Sequence, residues 1–331
     1  MRLEIYWGSP MSSISLNLAP ILSAIQWHSG ASFSFSDERF VLSSEADAQL
    51  KLADLLYDRC YTRRINGPRP QFNASHQSSS LLADLRSANA ARARWQQGWQ
   101  IRTVHESGWI TAERDSLERT FAPGEYVTKE GPGMPLRVGG PAEVYFAVES
   151  VHMQPGFYFS FGETVGDEAD NFSLLRFYWH LEPGGAPPLL NSVSTLLNRF
   201  QVPYRFKCLT NTAAYGRADS AVVYIPRRWY QMAARLLRDS RRSIAKHLRS
   251  DVPLFAKPLA DGLGFAEDPG GGQSFGMHRC VALARAICGS AAAHEGALPA
   301  AEVERRLSEQ GVSPSFPHLN PGSVDIYEFV A

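Results

Sequence analysis

The sequence predicts an α+β fold: a mainly antiparallel sheet flanked by helices, with a helical N-terminal region. Three observations predict it. Apolar residues recur at helical spacing in the first third of the chain. Short runs rich in aromatic and β-branched residues, separated by Gly and Pro, fill the middle, and helical patterning returns toward the end. A chain of 331 residues, 44% hydrophobic and 20% charged, has room for one large core or two smaller ones. We divide it into a mostly helical region over 1–115 and an α+β region over 116–331 that packs as one unit.

The elements follow in order. Ala46 to Tyr57 is the clearest early helix, with Leu50, Ala53, Leu56 and Tyr57 on one side. Gly67-Pro68-Arg69-Pro70 is a break. Leu81 to Gln97, rich in Ala, Leu, Arg and Gln, reads as a second helix. Strands are expected at Val144–Val148, Phe157–Phe161, Leu174–Leu181, Tyr204–Leu209 and Ala221–Ile225. Gly139-Gly140-Pro141, Pro155-Gly156 and Pro183-Gly184-Gly185 separate several of them. Helices are expected at Asn191–Phe200, at the basic stretch Arg228–Arg249, at Ser274–Ile287, and at Pro299–Glu309, where Ala300, Val303 and Leu307 form a stripe.

Composition excludes several functions. Lys plus Arg and Asp plus Glu both number 33, so a general nucleic-acid binder, which carries a basic excess, is not expected. Met1 to Pro20 lacks the basic and apolar regions of a signal peptide, and no apolar run reaches the ~18 residues of a membrane span. A cytoplasmic chain without membrane contact is therefore expected. Cys60, Cys208, Cys280 and Cys288 form no CxxC pair and read as buried thiols. With no Walker A, GxGxxG, GxSxG or HExxH pattern, no metal and no cofactor are expected.

The chemistry concentrates on the strands. In Leu174 to Leu181 alternation puts Leu175, Phe177, Trp179 and Leu181 on a core face, and Arg176, Tyr178 and His180 on the other. A solvated outer face is the plain reading of the second set. On the next strand Arg205 and Lys207 share a face, and Arg217 opens the strand after it. Lys129, before Gly131-Pro132-Gly133, adds a further cation. If neighbouring strands gather Arg176, Lys207 and Arg217, the cluster suits a multiply charged anion, because the arginine fork bonds two phosphate oxygens at once. Elimination of phosphate from phosphoserine or phosphothreonine needs such parts: a base for the Cα proton (Lys207), cations for the phosphate (Arg176, Arg217, Lys129, Arg205), and an acid (His180 or Tyr178). A third segment runs from Gly270-Gly271-Gly272 into a helix, where Ser274, His278 and Arg279 offer anion or substrate contacts.

These segments carry a resemblance. Leu56-Tyr57 with Tyr61-Thr62-Arg63, then Arg176-Phe177-Tyr178-Trp179, Pro203-Tyr204-Arg205-Phe206-Lys207 and Tyr215-Gly216-Arg217-Ala218-Asp219-Ser220-Ala221-Val222-Val223-Tyr224 occur in order. Ser274-Phe275-Gly276 with His278-Arg279-Cys280, and Leu319-Asn320-Pro321-Gly322-Ser323 with Tyr327, follow them. Together they resemble the HopA-like type III effector family, which includes subunits of class V lanthipeptide and thioamitide biosynthesis. The resemblance implies a phosphoserine/phosphothreonine lyase. Its partners are a phosphorylated precursor peptide and an aminoglycoside-phosphotransferase-like kinase, and its products are dehydroalanine or dehydrobutyrine. The related phosphothreonine lyases carry a Lys-x-His strand, whereas this chain reads Arg176-Phe177-Tyr178-Trp179-His180, so the base is placed at Lys207. The alternative is a non-catalytic subunit binding a phosphopeptide or leader peptide, or a secreted type III effector.

Overall fold

The computed structural model describes residues 16–28, 31–63, 65, 67, 73–128, 135–293 and 298–329, without the side chains at 168, 171 and 293. The fold is α+β, with antiparallel sheets and helices. Two compact units divide it. One takes its described residues from 1–69, 217–219 and 250–328, the other from 70–216, 220–249 and 329. The boundary expected near 115 lies inside the second unit.

Along the chain, the first unit opens with helix α1 (Ala19–Ser23) and a three-stranded antiparallel sheet, β1 (Ile25–Trp27), β2 (Ser32–Phe35) and β3 (Glu38–Val41). This sheet lies in the stretch expected to be helical. Its β-prone alternation wins: Phe33 and Phe35 are fully buried, and Trp27 stacks on Phe33 at 5.3 Å. Helix α2 (Glu45–Leu56) starts at Ser44, whose Oγ accepts the Asp47 amide at 3.1 Å. It buries Ala48, Leu52, Ala53, Leu55 and Leu56, whereas Leu50 is exposed, so the core stripe is turned from the one expected. A π-helical turn, Tyr57–Tyr61, continues α2 and stacks the Tyr57 and Tyr61 rings at 5.2 Å.

In the second unit, α3 (Ser79–Ala88) stops well short of Gln97. The chain from Arg94 becomes a strand instead, β4 (Arg94–Val104), because Trp99 and Ile101 alternate into a core that helix propensity alone does not offer. Gly98, at φ +86°, sits where the register shifts between Gln96 and Trp99, a bulge that favours glycine. With β5 (Ile110–Arg114), β6 (Leu117–Phe121), β7 (Tyr126–Thr128) and β8 (Pro141–Phe146) it makes a five-stranded antiparallel sheet in the order β6-β5-β4-β8-β7.

The unit's central sheet places the candidate residues. Its strands are β9 (Glu149–Ser150), β10 (Phe157–Phe161), β11 (Leu174–Trp179), β12 (Arg205–Leu209) and β13 (Ala221–Pro226), antiparallel in the order β11-β13-β12-β10-β9. Leu175, Phe177, Trp179, Phe206, Val223 and Ile225 form its apolar face, all fully buried. Phe177 stacks on Tyr230 at the start of α5 (Tyr230–Ser243), which packs against α4 (Ala186–Arg199). Helix α4 begins before the expected Asn191 because Pro187 and Pro188 occupy its first turn, where a missing N–H does no harm. The basic helix, by contrast, ends at Ser243 rather than Arg249.

The chain then returns to the first unit through the hairpin β14 (Lys257–Ala260) and β15 (Leu263–Glu267). Helix α6 (Phe275–Ala293) packs on α2 and on α7 (Ala300–Glu309). Gly276 on α6 lies flat against the Tyr61 ring, closer than any Cβ tolerates. No described helix is long and apolar enough to cross a membrane.

Candidate functional site: the cation face of the central sheet

Register fixes which side chains share a face. Arg176, Tyr224, Arg205 and Phe161 form one cross-strand row, and Tyr178, Val222, Lys207 and Phe159 form the next. Arg176 and Tyr178 thus share a face with Arg205 and Lys207, opposite the apolar one, as alternation predicts. That face is not solvated. Arg176, Tyr178 and His180 are only 8%, 2% and 5% exposed, whereas Arg205 and Lys207 are half-buried. Strand β13 separates the two cation-bearing strands, so Arg176 and Arg205 stand roughly 10 Å apart in the backbone, at two strand spacings.

Aromatic rings lie against these cations. The Tyr224 ring lies between two guanidiniums, 5.3 Å from that of Arg176 and 4.3 Å from that of Arg205. Lys207 Nζ sits 3.8 Å from the Phe157 ring centre and donates to Gln154 Oε1 at 2.6 Å. Beyond Arg205 the sheet ends in a cleft of about 550 Å³, lined by Arg205 and Tyr224 together with Phe121, Phe146, Phe161 and Met153. Arg205 Nε is buried with no hydrogen-bond partner among the described residues.

Arg217 belongs to the first unit, so Arg176, Lys207 and Arg217 are drawn from two units. Its fork is taken: Nε and Nη2 donate to the two Asp219 carboxylate oxygens at 2.8 and 2.9 Å, and Nη2 to the Tyr57 hydroxyl at 3.0 Å. Burial opposes the guanidinium's charge, but Asp219 and Tyr57 outweigh it and hold its pKa above the ordinary value. The Tyr57 hydroxyl is pushed up to about 12, first by burial and then by the Asp219 charge. Ser274 and His278 line a separate cavity of about 480 Å³ at the start of α6. Arg279, one residue on, is fully buried and donates to the carbonyls of Pro317 and Leu319 at 2.9 and 2.8 Å, which pins that loop. His278 Nδ1 lies 2.8 Å from an Arg279 guanidinium nitrogen, which can only donate, so His278 is neutral there. Burial and then the Arg279 charge lower its pKa. Lys129 lies outside the described residues.

Other chemistries find little support. Burial pushes the Cys60, Cys208 and Cys288 thiols up to about 12, so none of these is a thiolate nucleophile near neutral pH. Among the described residues no cluster of His, Cys, Asp and Glu could hold a metal ion.

A family model, that of the HopA1 effector protein family, matches residues 148–319, just over half of the chain and all of β9–β13. The chain belongs to the HopA1 effector protein family. Two solved effector proteins are similar to it. That of Pseudomonas syringae pv. tomato strain DC3000 has a TM-score of 0.45 at 17% identity, covering 84% of this chain and 90% of its own. That of Pseudomonas syringae pv. syringae strain 61 has a TM-score of 0.44 at 15% identity, covering 82% and 95%. No curated protein matches the chain significantly in sequence. HopA1 membership agrees with the effector-type alternative more directly than with a lyase.

Sequence reasoning gave no site role to Tyr224, Phe157 or Gln154. Alternation places Tyr224 on a face of its strand, but which residues it meets depends on the register with β11 and β12, and sequence does not show that register. Gln154 sits in a loop and carries no signal.

Proposed function

We propose that this HopA1-family chain acts on phosphoserine or phosphothreonine in a peptide at the cation face of its central sheet, eliminating phosphate. The observation that supports it best is the pair of adjacent rows that put Arg176, Arg205 and Lys207 on one face, with Arg205 open to a cleft. Arg205 holds the phosphate. The Lys207 amine, in its neutral form, takes the Cα proton. The freed electron pair forms the Cα=Cβ double bond, the Cβ–O bond breaks, and phosphate leaves with that bond's electrons. Tyr178, in Lys207's row, or His180 supplies a proton to the leaving group. The product is dehydroalanine or dehydrobutyrine, and a kinase of the aminoglycoside-phosphotransferase type supplies the phosphopeptide.

A second reading, phosphopeptide binding without chemistry in an effector-type protein, is favoured by one observation. The Phe157 ring and the Gln154 carbonyl both stabilise Lys207 as ammonium, which suits a phosphate-binding charge better than a base. Mass spectrometry of a phosphothreonine peptide incubated with the protein, alone and with the kinase, separates the two. Loss of one phosphoric acid per site, with the alkene trapped by a thiol, supports elimination. An intact but bound phosphopeptide supports the second reading, and an intact, unbound one refutes both.

A further inference from the structure

We propose that the cleft beside Arg205 seats a large apolar side chain of the bound peptide, two residues from its phosphorylated residue; this rests on the phosphopeptide reading of the cation face. The rows of Lys207 and Arg205 are two residues apart on β12, the same interval that separates same-facing side chains of an extended peptide, roughly 6.6 Å. With the phosphorylated residue seated between the Lys207 base and the Arg205 guanidinium, the next same-facing side chain falls past the Arg205 row. That is where β10, β12 and β13 end and the cleft opens, lined by Gly162, Pro203 and Pro226 from those strand ends.

The chemistry of the cleft fits such a side chain. Its volume, about 550 Å³, lies within the range of pockets that enclose small ligands. Phe121, Phe146, Phe161 and Met153 give it an apolar wall, with Met153 56% exposed at the opening. Its acids are engaged: Asp170 meets Arg228 at 2.8 Å, and Glu125 accepts the Ala122 amide at 3.0 Å. Arg205, stacked on Tyr224, stands between the phosphate and the apolar pocket, whose lining also includes Arg119.

The test is fluorescence anisotropy with the full chain and phosphothreonine peptides carrying Phe or Ala at the second residue before or after the phosphosite. Phe at one of these positions is expected to tighten binding about tenfold. Ala147→Trp, an exposed residue on the cleft, should abolish the preference while leaving the Ala peptides bound as before. Met153→Trp serves as a second block should the first variant misfold. Equal affinities for Phe and Ala peptides at both positions, or a preference that survives both tryptophans, overturns this proposal and leaves the cation face standing. If no phosphopeptide binds at all, the reading of the cation face fails and the cleft proposal falls with it.

Discussion

Replacing Asp219 with alanine strands a buried guanidinium. The Arg217 and Asp219 side chains are 10% and 12% exposed and share two hydrogen bonds, so solvent screens the pair little. Breaking a buried pair on one side leaves the other charge uncompensated, and we expect a loss of about 3–5 kcal/mol. Domain stabilities are about 5–15 kcal/mol, so the loss is a large share of the total. Replacing both residues with leucine removes the charge problem and should destabilise by far less than the sum of the single changes, giving a coupling of about 2 kcal/mol or more. Tyr57→Phe, which deletes one hydrogen bond to the guanidinium, should lower stability by about 2 kcal/mol. Urea denaturation followed by far-UV circular dichroism measures all of these. A loss under about 1 kcal/mol for Asp219→Ala, or additive single and double variants, would show that the pair does not hold this part of the unit together.

Three further outcomes are expected. Burial pushes His318 down to about 4 from an ordinary 6.5, so between those pH values the unfolded chain holds more protons and stability rises with pH. Acidifying from pH 6.5 to 4 should remove up to about 3 kcal/mol, and urea midpoints for His318→Leu should flatten over that window. Gly276→Ala should lower stability by about 1–3 kcal/mol despite the better helix propensity of alanine, because the new Cβ meets the Tyr61 ring; a raised melting temperature would show that the ring yields. Arg205→Ala should weaken phosphopeptide binding about 10–100-fold in titration calorimetry, the loss of one charged contact, and an unchanged affinity would move the phosphate elsewhere.

The sequence showed the central sheet well. Phe157–Phe161 was found to the residue, and the alternation in Leu174–Leu181 separated the Phe177 and Trp179 face from that of Arg176 and Tyr178. Local pattern suffices there because strand alternation is a local property. It failed where tertiary pairing outweighs propensity. The Ala- and Gln-rich stretch after Ala88 becomes β4, and a sheet takes the place of helix over Ile25–Val41. The site was half legible. Which cations share a face could be read, but not that Tyr224 separates Arg176 from Arg205, that Arg217 is spent on Asp219, or that Arg279 holds a loop. Those depend on register and on contacts far apart in sequence.

The most direct test compares wild type with Lys207→Ala on a phosphothreonine peptide in the presence of the kinase partner, reading phosphate release and peptide affinity together. The proposal predicts that wild type releases phosphate, and that Lys207→Ala slows release about 100-fold or more while changing affinity only a few-fold. Release that survives in Lys207→Ala, or a wild type that binds the peptide and releases nothing while Lys207→Ala loses affinity, would contradict elimination by Lys207. The second of these outcomes would make the cation face a binding site.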